Sequence, residues 1–111
     1  MNILVVVQTI LSVLAREGNK SEGEALMAFD AGWKRFTPKS VGVLPQELCS
    51  IANLSVAMDQ LSLSSFSLRN ELLQAAVATI SEDGKITIEE AELLRTMGEN
   101  LDCPIPPIVG N

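Results

Sequence analysis

Histidine and tyrosine are absent from the sequence, cysteine occurs twice, and aromatic residues make up only 4% of it. Without imidazole the chain lacks the side chain that most often serves as a general base near neutral pH. It also cannot build the His-Glu-x-x-His helix that holds zinc in one large class of peptidases, so on its own it is not such an enzyme. Cys49 and Cys103 are too few to staple a small secreted fold and match no metal-finger spacing, so both are expected as free, partly buried thiols. Positive charge is scarce: 8 Lys and Arg face 14 Asp and Glu, for a formal net charge of −6. Phosphate recognition needs a basic stripe that releases counterions, which sets DNA and RNA aside as partners. There is no glycine-rich phosphate loop and no nucleophile elbow, so independent catalysis has none of its usual parts.

Long apolar runs are missing too. Residues 3–15 are strongly apolar, but Gln8, Thr9 and Ser12 interrupt them. The run is also shorter than the roughly 18 to 20 residues a membrane crossing needs. No basic segment precedes it, as an export signal would require. The unpaired cysteines and the missing export signal together favour the cytoplasmic side as the location.

What the chain does have is aliphatic residues. It is 47% hydrophobic and 20% charged over 111 residues, enough for one domain spanning 1–111 with a single core. With Leu, Ile, Val, Ala and Met as building material, the expected class is all-α, a small bundle of about five helices. The first helix is predicted over residues 3–17, ending at Gly18-Asn19, and is apolar around most of its circumference. Such a helix sits at the centre of a bundle or docks on something else, and it leaves room for a homodimer. The second starts at Ser21, where Glu24 completes a capping box, and its core stripe is read as Leu26, Phe29, Trp33 and Phe36. Pro38 and Lys39 mark its end, and a loop leads to Pro45.

A third helical region carries Leu48, Ile51, Leu54, Met58 and Leu61, with Cys49-Ser50 able to split it in two. Residues 62–67 read as a serine-rich connector, and Leu68, Leu72, Ala75, Ala76, Thr79 and Ile80 trace a fourth helix. After a turn at Asp83-Gly84-Lys85, Thr87 with Glu90 forms a second capping box, and Leu93, Leu94, Met97 and Leu101 face inward from a fifth. The tail from Cys103 to Asn111 holds Pro104, Pro106 and Pro107 and is expected to lie extended along the bundle. Gly18, Ser21, Glu24 and Ala25 align at one constant offset with Gly84, Thr87, Glu90 and Ala91. That alignment admits two pseudo-equivalent helical hairpins burying the first helix against the fourth.

The Asp83-Gly84 turn invites comparison with a calcium loop, whose glycine is sixth and whose first ligand is a carboxylate. With Gly84 sixth, Thr79 takes the first position, so that carboxylate is absent. The reading preferred for Asp83 and Glu90 is structural, turn and cap, with no metal and no cofactor. If a cation is bound at all, these two carboxylates are the ones to suspect first. The acidic run through Glu82, Glu89, Glu92 and Glu99 reads as a solvated helix face.

Several segments together resemble a known family. They are Leu72-Leu73-Gln74-Ala75-Ala76, Asp83-Gly84-Lys85-Ile86-Thr87, Glu90-Ala91-Glu92-Leu93-Leu94-Arg95 and Leu101-Asp102-Cys103-Pro104-Ile105-Pro106-Pro107. Leu11-Ser12-Val13-Leu14-Ala15-Arg16, Ala28-Phe29-Asp30-Ala31-Gly32 and Leu44-Pro45-Gln46-Glu47-Leu48-Cys49 extend the likeness over most of the chain. Their order resembles the C-terminal region of bacterial membrane zinc metallopeptidases of the HtpX and CAAX-prenyl-protease type, metallopeptidase family forty-eight. The Asp-Gly-x-Ile-x-x-x-Glu hairpin is also similar to TerB-like domains, small helical bundles of tellurite resistance. The first likeness implies a non-catalytic accessory or regulatory domain beyond the catalytic part of a zinc peptidase. Its partner would be the remainder of that parent or another protein, and zinc would be held only in the parent's catalytic part. The second implies a TerB-like architecture and, as the alternative function, a free-standing cation-binding or stress-response module. Because the His-Glu-x-x-His helix is missing, no catalytic residue carries over.

Overall fold

The computed structural model describes residues 3–18, 21–37, 41–82 and 86–101. They form α1 (Ile3–Gly18), α2 (Glu22–Trp33), a single 3-10 turn at Gln46–Leu48, α3 (Ile51–Ser62), α4 (Phe66–Ile80) and α5 (Ile88–Asn100). No strand occurs among the described residues, and the class is the all-α bundle of five helices that the aliphatic composition implies.

The helix starts are written locally. Ser21, Ser50, Ser65 and Thr87 each sit in extended backbone ahead of a helix and accept the amide three residues on, from Glu24, Asn53, Leu68 and Glu90 at 3.0 to 3.2 Å. Each such cap satisfies a donor that the helix itself leaves orphaned, worth about 1 kcal/mol. Only Thr87 and Glu90 make the full reciprocal box. At α2 the Glu24 carboxylate instead accepts from the Ser21 hydroxyl at 2.8 Å.

α1 is the hub. Val6, Val7, Ile10, Leu11, Val13, Leu14 and Ala15 are all buried, because α2, α3 and α4 pack around it and α5 reaches it. Only Leu4 and Val5, in its first turn, are exposed apolar residues. The apolar circumference therefore finds its partners inside the bundle, including the α1 to α4 packing implied by the two-hairpin reading.

α2 differs from its predicted stripe. Leu26 is exposed, Phe36 lies beyond the helix end and only partly packs on the core, and the buried face is Ala25, Ala28, Phe29, Gly32 and Trp33. Small residues let α2 and α4 approach closely: a Cβ on Gly32 would overlap Thr79 Oγ1 and lie 2.6 Å from the Ala75 carbonyl oxygen. A leucine at such a crossing would hold the helices apart, so the large residue points outward. Phe29 and Trp33, both buried, stack with ring centroids 5.4 Å apart.

Two further boundaries shift. Cys49-Ser50 does break the third region, into the 3-10 turn and α3, and Leu48 of the predicted stripe is exposed while Leu54, Ala57, Met58 and Leu61 are buried. The serine-rich connector is shorter than residues 62–67, because Ser65 is a cap and Phe66 and Ser67 already belong to α4. Asn19, Pro38, Lys39, the Asp83-Gly84-Lys85 turn and the tail from Cys103 onward lie outside the described residues.

Candidate functional site

The two carboxylates singled out from the sequence fare differently. Asp83 lies outside the described residues. Glu90 is 3% exposed, and its Oε1 accepts the Thr87 amide at 2.9 Å while its own amide donates to Thr87 Oγ1 at 3.0 Å. One carboxylate oxygen is therefore committed to fastening the first turn of α5, where the helix dipole also favours negative charge. Glu82, Glu89, Glu92 and Glu99 are all exposed, in keeping with a solvated face. Among the described residues no group of three or more His, Cys, Asp or Glu side chains is gathered as a metal site would need.

A second constellation was not singled out from the sequence. Gln8, Ser12 and Arg16 stand at i, i+4 and i+8 of α1, so they share one face of an otherwise apolar helix. All three engage the main chain of residues 41–44. Gln8 Nε2 donates to the Gly42 carbonyl at 2.8 Å, the Leu44 amide donates to Ser12 Oγ at 3.0 Å, and Arg16 Nε donates to the Leu44 carbonyl at 2.7 Å. The rest of the Arg16 guanidinium forks onto Glu22, with Nη1 to Oε1 at 2.7 Å and Nη2 to Oε2 at 3.1 Å. One arginine thus ties α1 to the start of α2 and to the segment before α3. The available signal was polar residues at helical spacing within the apolar run, where they read only as interruptions.

The electrostatics follow from this geometry. The paired hydrogen bonds from Arg16 hold the Glu22 carboxyl below its ordinary range, and Glu22 in turn raises the Arg16 guanidinium further. Because the Glu22 side chain is 78% exposed, water screens the pair and its worth is that of a surface ion pair. Cys49 is a free, half-buried thiol whose Sγ points at the Leu44 carbonyl at 3.7 Å. Burial pushes its pKa up, and the nearby Arg16 only partly offsets that. A thiol so placed stays protonated at neutral pH, the opposite of an activated nucleophile.

Among the described residues two buried side-chain polar atoms lack a hydrogen-bond partner, Thr79 Oγ1 at the α2–α4 crossing and Arg69 Nε. The Arg69 guanidinium lies over the Phe66 ring and donates through Nη1 to the Leu101 carbonyl at 2.5 Å, fastening the end of α5 to the start of α4. Exposed large apolar side chains are spread over the helices, with Leu63, Ile88 and Met27 the most open. No helix among the described residues is long and apolar enough to cross a membrane. Set against protein-family models, curated proteins and solved structures, the chain matches none of them.

Proposed function

We propose that this chain is a non-catalytic accessory or regulatory domain of a membrane zinc metallopeptidase, acting through packing and protein contacts on the cytoplasmic side. The parentage rests on the order of motifs along the chain, ending in Leu101-Asp102-Cys103-Pro104-Ile105-Pro106-Pro107. The observation that favours contact over chemistry is the state of the polar groups. Glu90 is spent on a helix cap, Cys49 is held as a thiol, and Arg16 is divided between Glu22 and Leu44. What this reading leaves for a partner is exposed apolar side chains, among them Met27, Val56, Leu63, Phe66 and Ile88, and the acidic face of α5.

The test is an immunoblot of fractionated source cells with an antibody against this chain. A band several times larger than 11.9 kDa in the membrane fraction is the expected result. A soluble band near 11.9 kDa would overturn the reading and put the TerB-like module in its place.

A further inference from the structure

Among the described residues from Lys34 to Ser50 none is fully buried, whereas every helix of the bundle contributes several buried side chains. Of residues 41–44 only Val43 packs against the core, and it is partly buried, as is Cys49 six residues on. What fastens this stretch is polar and comes mainly from one face of α1, with Gln8 on the Gly42 carbonyl, Ser12 under the Leu44 amide and Arg16 on the Leu44 carbonyl, to which the Cys49 thiol adds a long contact with the Leu44 carbonyl. Removing the segment from its seat breaks those bonds without taking an element out of the apolar core. Core elements resist opening up to the full stability of the fold, while segments with little apolar burial open at a fraction of it.

We infer that residues 41–44 form a strap that opens and closes as a unit while the five helices stay packed, with Arg16 as its latch. Opening uncovers Ser12, which is fully buried when the strap is closed, and frees Arg16 Nε. Each of the three α1 groups reads a main-chain atom of the strap and none reads a side chain, so the seat does not depend on the strap's side chains. The latch is the strongest link, because its donor is charged, and it is shared, because the same guanidinium forks onto Glu22. The inference stands apart from the peptidase reading, since it concerns only contacts within this chain.

Native-state hydrogen exchange on the intact chain tests it, in low concentrations of urea, comparing the Leu44 amide with the amides of Leu73 and Ala76 in α4. The expected result is that Leu44 exchanges faster than both, at a rate nearly independent of urea, because little surface is exposed when a strap opens. Arg16→Gln should then speed Leu44 exchange at least about tenfold, as loss of a charged hydrogen bond implies. Ser12→Ala should act in the same direction, and Glu22→Gln, which spares the Leu44 contact, should do much less. The inference is overturned if Leu44 exchanges at the same rate and with the same urea dependence as the α4 amides. It is also overturned if neither Arg16→Gln nor Ser12→Ala changes the Leu44 rate.

Discussion

Gly32 is the residue whose side chain, or lack of one, sets the spacing of two helices. In an exposed helix Gly to Ala gains about 1 kcal/mol from propensity alone. At the α2–α4 crossing the new methyl would overlap Thr79 Oγ1 and press on the backbone carbonyl of Ala75, which has no rotamer into which to retreat. Overpacking of this kind costs roughly 1 to 3 kcal/mol, so Gly32→Ala is expected to destabilise despite its better propensity. Thr79→Ala removes the flexible half of the clash along with a hydroxyl that has no partner, but leaves the Ala75 half. Gly32→Ala should therefore cost less in the Thr79→Ala background than in the native one, a positive coupling readable from urea unfolding of the four proteins. A Gly32→Ala protein as stable as the native chain would show that the crossing yields freely, and the argument for its closeness would fail.

At the scale of elements, what could be read from the sequence was whatever is decided within a few residues. Ser21, Thr87 and the Cys49-Ser50 break gave helix starts, because a cap is a contact between a side chain and an amide three positions away. The inward face of α2 was misjudged because a leucine weighs more than an alanine in any reading of periodicity. A close helix crossing reverses that preference, and nothing within α2 reveals which helix will cross it. The strap on α1 escaped for a related reason. Its bonds join residues some thirty positions apart through main-chain atoms that carry no sequence signature, as from Gln8 to Gly42 and from Arg16 to Leu44. Local chemistry also makes a prediction at α5. Thr87→Ala should cost about 0.5 to 2 kcal/mol, since it orphans the Glu90 amide. Glu90→Ala should be destabilising as well, whereas Glu90→Gln should be close to neutral because an amide oxygen still serves the box. Urea midpoints of the three variants decide it, and a Glu90→Gln loss as large as that of Glu90→Ala would mean the charge, not the cap, is what the position supplies.

For the molecule as a whole, four helices packed around α1 give a Cα radius of gyration of 12.5 Å, close to the roughly 13 Å of a compact 100-residue domain. The apolar faces are largely satisfied internally, and the choice between the proposed contact domain and a cation-binding module becomes a question about stability. A cation bound only by the folded chain with a dissociation constant a hundredfold below its free concentration adds about 2.7 kcal/mol. In a domain of this size that is a rise of about 10 °C or more in the unfolding temperature. The accessory reading expects no such rise with calcium or zinc at about a hundred times a micromolar-range constant, because Glu90 is 3% exposed and already bonded to the Thr87 amide, so a metal would have to undo a cap to reach it. Glu90→Gln makes the test specific, since it keeps the capping geometry and removes the negative charge a cation needs. If thermal unfolding of the native chain rises with added metal and that of Glu90→Gln does not, the carboxylate is a ligand after all and the TerB-like function takes precedence. Unchanged temperatures in both proteins would count against the cation-binding module and leave the accessory proposal standing.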